Sequence, residues 1–222
     1  MCLTMEEFAG QQASRITRLR GLYAIVGDDD PVGKAHDAIE GGAGVVQIRM
    51  KSSPAGAILA AARQIVARSR GRALVIVNDR ADLAVLAGAD GVHVGDDDLP
   101  AAEARRIVGP GMLVGRSTRT LAEARAAIAD GADHVGFGPM FGTRTKEIAA
   151  APRGLPALRE VASALHAPVV AIGGITLATV ADVARAGAAA AAVIEDLLSR
   201  GDVRERAALL VAGFDEGAGS RR

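Results

Sequence analysis

The sequence predicts a single α/β domain, a TIM (β/α)8 barrel spanning residues 1–222, with a short helical extension at its N-terminus. Three observations predict it. Short apolar runs alternate with helical stretches eight times without interruption. Gly42-Ala43, Gly88-Ala89, Gly131-Ala132 and Gly187-Ala188 each stop a helix just before strands two, four, six and eight. The length of 222 residues fits one such barrel, since these run about 200–250 residues without splitting. An open doubly wound sheet is the alternative. It would carry a Gly-rich fingerprint after strand one, and Gly27-Asp28-Asp29-Asp30 is not one.

The elements follow in order. Residues 5–20 read as a leading helix. Leu22 to Val26 is strand one, and Asp30-Pro31 opens a helix with an N-cap and a first-turn proline. Val45 to Met50 is strand two, followed by a helix from Ser53-Pro54 to about residue 70. Leu74 to Val77 is strand three and ends in Asn78-Asp79. A helix over 80–87 leads to strand four, Gly91 to Val94, which ends in Gly95-Asp96-Asp97-Asp98. Leu99-Pro100 starts the next helix, and Met112 to Gly115 is strand five. Thr120 and Glu123 form a capping box. His134 to Phe137 is strand six, with a long loop from Gly138 to Gly154. A helix over 155–166, strand seven at Val169 to Ile172, a helix capped by Thr176, strand eight at Ala190 to Ile194 and a helix over 204–212 complete the barrel. Residues 213–222 read as a frayed tail.

Composition narrows the function classes. Half the residues are apolar but only 2% are aromatic, so the core is built from Ala, Val, Leu and Ile contacts between helices and sheet. Lys plus Arg equals Asp plus Glu at 26 each, which gives no basis for a nucleic-acid partner. The single cysteine, Cys2, allows no internal disulfide and suits a reducing cytoplasm. No apolar run reaches the roughly 18 residues of a membrane span, and the acidic N-terminus does not read as a signal peptide. A monomer and a homo-oligomer both stay open.

In such a barrel the chemistry sits just past the C-terminal ends of the strands. Asp79 and Asp98 fall there, after adjacent strands. Two carboxylates on one rim repel unless a cation sits between them, and hard oxygen ligands suit Mg²⁺. The alternative is a pair of solvated turns with helix N-caps. In strand two, alternation puts Gln47, Arg49 and Lys51 on one face and Val46, Ile48 and Met50 on the other. The apolar set faces the helices, so an amide and two cations point into the barrel mouth. They bind an anionic ligand, or else an internal ion-pair network. Thr143, Arg144, Thr145 and Lys146 lie in the long loop as phosphate-binding candidates. Ser117 follows strand five on the same rim, as a site residue or a helix cap. Gly173-Gly174 after strand seven makes a backbone phosphate cradle or a tight turn. His93 reads as a hydrogen-bonded structural histidine, and His36, His134 and His166 as surface or strand-edge residues.

Taken together these residues resemble the thiamine phosphate synthase family over essentially the whole chain. The carriers are Gln47-x-Arg49-x-Lys51, Asn78-Asp79-Arg80, Gly91-Val92-His93-Val94-Gly95 leading to Asp98, Ser117, Gly138-Pro139 with Thr143-x-Thr145-Lys146, and Ile172-Gly173-Gly174-Ile175. The resemblance implies a TIM barrel that joins hydroxymethylpyrimidine diphosphate to a thiazole phosphate, often carboxylated, and releases pyrophosphate and, from the carboxylated form, CO₂. It implies that Gln47, Ile48, Arg49, Met50, Lys51, Asn78, Ser117 and Lys146 bind the pyrimidine diphosphate. By the same resemblance, Asp79 and Asp98 hold Mg²⁺. Thr143, Arg144, Thr145, Gly174, Ile194 and Glu195 hold the thiazole phosphate, the last three largely through backbone. Arg49, Lys51, Lys146 and Ser117 are the residues expected to carry catalysis.

Two positions depart from the family pattern. Asp96 replaces the usual Gln and adds negative charge near the metal. Glu195 stands where the family often has Ser, and a carboxylate there repels a phosphate unless its side chain turns outward. Two other functions compete. The related thiazole tautomerases isomerise instead of join, using a histidine two residues after the strand-five serine. That position is Arg119 here, which cannot shuttle protons. A non-catalytic barrel that senses phosphorylated thiamine precursors is the other.

Overall fold

The computed structural model describes residues 4–142 and 151–220. Eight parallel strands close in sequence order: β1 (Gly21–Val26), β2 (Val45–Ile48), β3 (Leu74–Asn78), β4 (Gly91–Val94), β5 (Leu113–Thr118), β6 (His134–Phe137), β7 (Val169–Ile172) and β8 (Ala190–Val193). β1 pairs with β8, Leu22 beside Ala191, so no sheet edge remains. The closed barrel is as expected, and the open doubly wound alternative is ruled out. The helices are α1 (Met5–Arg18), α2 (Pro31–Glu40), α3 (Ala55–Ser69), α4 (Ala81–Ala87), α5 (Ala101–Val108), α6 (Leu121–Ala129), α7 (Gly154–Ala164), α8 (Val180–Arg185), α9 (Glu195–Leu198) and α10 (Val203–Gly219).

The Gly-Ala repeat has a physical basis. Gly42, Gly88, Gly131 and Gly187 all adopt left-handed φ between +67° and +103°, which glycine alone reaches without strain. In each case the next alanine donates its N–H to a carbonyl five residues back, as Ala43 does to Ala38 at 2.9 Å and Ala132 to Ala127 at 3.0 Å. These are Schellman caps. All four alanines are then buried as the chain enters the next strand.

Alternation along the strands makes two cores. Side chains such as Val46, Ile48, Val75, Val77, Val92 and Val135 face outward into the helices. Tyr23, Ile25, Val45, Leu74, Ile76, Leu113 and Val170 face the barrel axis. α1 closes the N-terminal end. Its C-cap Leu19 and Ile16 join the inner cluster, Arg15 bonds Asp90 at 2.9 Å, and Gln12 bonds Asp133 at 2.7 Å. The axis therefore opens at the other end, where the strands terminate.

Several boundaries differ from expectation. α10 continues to Gly219, so residues 213–219 are helix and not a frayed tail. The reason is burial: Phe214 is 3% exposed and Gly217 packs against the Ala181 backbone. β2 stops at Ile48 and β5 runs on to Thr118, so Arg49 leaves the sheet while Ser117 stays inside it. Ser53-Pro54 does not cap α3 through a side chain; Ser53 Oγ donates to Asp28 at 2.6 Å instead. α8 starts at Val180, after a Thr176–Thr179 turn. The capping box at α6 is shared: Thr120 accepts from Glu123 N–H, and Glu123 accepts from the N–H of Arg119. That bond fixes the backbone of Arg119 at the end of β5.

Candidate active site

A cavity of about 290 Å³ occupies the open end of the axis. Its wall is made by inward side chains near the strand ends and by the loops that follow them. Arg49, Asn78, Ser117, Gly174, Ile194 and Glu195, all expected in the site, line it.

The metal candidates meet at the rim. Asp79 follows β3 with φ +63°, a left-handed conformation that Asp tolerates better than most residues. Its N–H donates to His93 carbonyl oxygen at 2.8 Å, which sets the turn. The loop after β4 folds back so that Gly95 N–H donates to Asp98 Oδ2 at 2.7 Å. The two carboxyl groups are close enough to act on each other. Burial, then the Asp98 bond and charge, raise Asp79 above the usual carboxylate range, against the pull of Lys51. Burial also pushes Asp98 upward, but the Asp79 and Gly95 bonds and the charges of Lys51 and Arg116 outweigh it and hold Asp98 low. Of the two, Asp98 holds its charge more readily than Asp79. Converging carboxylate oxygens are a donor set a hard divalent cation fits.

Cations flank this pair. Lys51 Nζ lies 3.1 Å from Asp79 Oδ2, with its side chain half exposed. Lys51 is therefore at the rim and not among the residues lining the cavity. Arg49 donates its backbone N–H to Val26 and turns its side chain onto the cavity wall. Asp96 is ion-paired with Arg119, and Arg116 lies 4.0 Å away.

Deeper in the barrel the polar groups are neutral. Gln47 is 3% exposed and donates to Tyr23 Oη at 3.0 Å. Burial, partly offset by that bond, drives the Tyr23 phenol upward. His93 Nε2 and Ser117 Oγ are hydrogen-bonded at 3.0 Å, in keeping with the structural reading of His93, though its ring also lines the cavity. His134 corrects its surface assignment: it is 1% exposed, inside the barrel. Strand parity explains this. Val135 and Phe137 face the helices, so His134 and Gly136 face the axis. The same parity in β1 would have found Tyr23. Ile48 and Met50 lie with the outer core, and neither lines the cavity. His36 and His166 do lie outside the barrel, partly or fully exposed.

The far wall is shaped by backbone. Gly173 and Gly174 have φ of +99° and +67°. A Cβ at Gly174 would meet Gly142 O at 2.5 Å and Phe141 at 2.9 Å, so glycine is required. Asp196, 5% exposed, accepts from Leu177 N–H at 3.1 Å and from Nε and Nη2 of Arg206, tying the β7 and β8 loops together. Arg200 reaches Asp196 at 3.4 Å and lines the same wall as Glu195. Sequence reasoning missed both arginines. Thr143, Arg144, Thr145 and Lys146 lie outside the described residues.

Fold and site define a β/α barrel with carboxylates and cations gathered at its mouth and neutral polar groups deeper along the axis. The comparisons place it in a family. Residues 22–197 match the family model described as thiamine monophosphate synthase, and the chain belongs to that family. It is 63% identical over 213 residues to a thiamine-phosphate synthase of Anaeromyxobacter dehalogenans, covering 96% of each chain. It is 50% identical over 204 residues to one from Myxococcus xanthus, covering 89% of this chain and 94% of the relative. Among solved structures it is similar to a thiamine phosphate pyrophosphorylase from Pyrococcus furiosus, with TM-score 0.83 and 32% identity over 90% of this chain and 98% of the other. Neither the isomerase nor the sensor alternative finds support in these likenesses.

Proposed function

We propose that this protein is a transferase that condenses hydroxymethylpyrimidine diphosphate with thiazole phosphate to give thiamine phosphate and pyrophosphate. When the thiazole is carboxylated, CO₂ leaves as well. The observation that carries the reading is the Asp79–Asp98 pair of interacting carboxyl groups, with Lys51 Nζ 3.1 Å from Asp79, at the mouth of the cavity. Family membership and the names of the relatives support it. A small-molecule enzyme of this kind works in the cytoplasm, and among the described residues no helix is long and apolar enough to cross a membrane.

The chemistry follows from charge placement. Asp79 and Asp98 would hold Mg²⁺, with water and diphosphate oxygens completing its shell. When bound, that ion neutralises charge on the departing pyrophosphate. Arg49 and Lys51 stand where the rest of that charge develops, and Lys146 belongs to the same set by resemblance. The electron-rich pyrimidine stabilises the methylene cation left when the C–O bond breaks. The thiazole nitrogen then attacks that carbon. The step removes no proton, so no general base is needed, and positioning does the rest. Gly174 and the backbone of Ile194 and Glu195 offer N–H groups to the thiazole phosphate, while Arg200 places a cation on the wall that carries the Glu195 carboxylate.

The test is product analysis. Both substrates with Mg²⁺ should give thiamine phosphate, and neither alone should. An isomerised thiazole, or binding of both ligands without product, would contradict the proposal.

A further inference from the structure

His134 is buried at the inner end of the cavity, and neither of its ring nitrogens has a hydrogen-bond partner among the described residues. A neutral imidazole carries one donor and one acceptor. Leaving both unmet in a buried place is costly. The neighbouring polar groups do not meet the need: Gln47 is joined to Tyr23, and Ser117 to His93.

The sequence makes room for this ring. A Cβ on Gly115 would run into both His134 and His93, and one on Gly136 would press on His93 at 3.1 Å. Two inward glycines on adjacent strands thus admit two inward imidazoles, with centroids 5.8 Å apart and planes tilted by 38°. Around them the wall is apolar, from Ile25, Val170, Ile172 and Ala192. The charged residues that line the cavity, Arg49, Arg119, Glu195, Asp196 and Arg200, all follow the ends of their strands, and Lys51 stays at the rim. An occupant of the inner end is therefore uncharged there and carries a polar group that can hydrogen-bond the imidazole. Its anionic part stays at the mouth.

We propose that His134 recognises the nitrogen heterocycle of the diphosphate substrate through a hydrogen bond between one of its ring nitrogens and a ring nitrogen or the exocyclic amine of the pyrimidine. This rests on the reading that the substrate is an aminopyrimidine diphosphate. The family resemblance assigns no role to position 134.

The test uses His134→Phe, which keeps a ring and loses both nitrogens. Calorimetry with inorganic pyrophosphate and Mg²⁺ should give the parent affinity. The KM for pyrimidine diphosphate should rise at least tenfold, with kcat and the thiazole phosphate KM little changed. In the parent protein labelled with ¹⁵N-histidine, unphosphorylated hydroxymethylpyrimidine should move the His134 ring signals, and pyrophosphate should not. A folded variant with parent KM, or His134 signals that ignore the pyrimidine, would overturn the proposal. The signal measurement decides the matter if the variant does not fold. Movement of the signals in a protein that forms no thiamine phosphate would sink the proposed function and leave this inference standing. Turnover without movement would do the reverse.

Discussion

Asp96 and Arg119 are ion-paired across the ends of β4 and β5. The departure from the family pattern at Asp96 is therefore answered by a cation on the same rim. The extra carboxylate near Asp98 is screened by a guanidinium whose backbone is held by Glu123. Arg119→Ala should leave Asp96 uncompensated, make the metal site more negative and lower the Mg²⁺ concentration for half-maximal activity by roughly 3- to 5-fold, the scale of an exposed pair worth up to about 1 kcal/mol. Asp96→Asn in that background should restore it. A metal titration in which the double variant keeps the lowered value would show that the pair does not act by charge compensation.

Much of this was legible in the sequence, and the reasons are specific. Strand–helix alternation and the Gly-Ala stops are local signals, so the barrel and its four Schellman caps could be read. Asp79 and Asp98 could be placed on one rim because adjacent parallel strands fix it. The partners of Asp96, Asp196 and His134 could not. Each depends on which residues a closed barrel brings opposite, across 23 positions for Asp96 and Arg119. The tail was misread because its Gly and Ala content hides Phe214, whose burial holds α10 together.

His134 should give the fold an acid-sensitive slope. Burial, helped by the nearby charge of His93, pushes its pKa from the ordinary 6.5 down to about 3. The unfolded chain binds the proton first. Stability is full above pH 6.5 and falls as the pH drops toward 3, by up to about 1.4 kcal/mol per unit. Urea unfolding of His134→Phe between pH 4 and 7 should show a shallower slope than the parent. Equal slopes would mean the imidazole is not kept neutral.

Glu195 and Arg200 line one wall with opposite charge. Glu195→Ser should lower the KM for thiazole phosphate about 3-fold, and Arg200→Ala should raise it by a similar factor, with the pyrimidine diphosphate KM unchanged in both; each factor reflects an interaction of under about 1 kcal/mol. Steady-state kinetics with each substrate varied in turn would show this. An unchanged KM in Glu195→Ser would mean that the carboxylate points away from the phosphate.

Gly115→Ala should destabilise the protein by about 1–3 kcal/mol, because its methyl would press on both barrel histidines. The denaturation midpoint in urea reads this directly. His134→Ala should recover part of the loss in the double variant, since it removes one of the two clashing rings. No recovery would place the strain elsewhere.

The most direct measurement is pyrophosphate release from the two substrates, with Mg²⁺ and with EDTA, for the parent and for Asp79→Ala. We expect release that needs both substrates, stops with EDTA, and falls at least 100-fold in the variant, a barrier increase of about 2.7 kcal/mol. Release that survives EDTA, or an Asp79→Ala protein as active as the parent, would contradict the assignment of the Asp79–Asp98 pair as the centre of the chemistry.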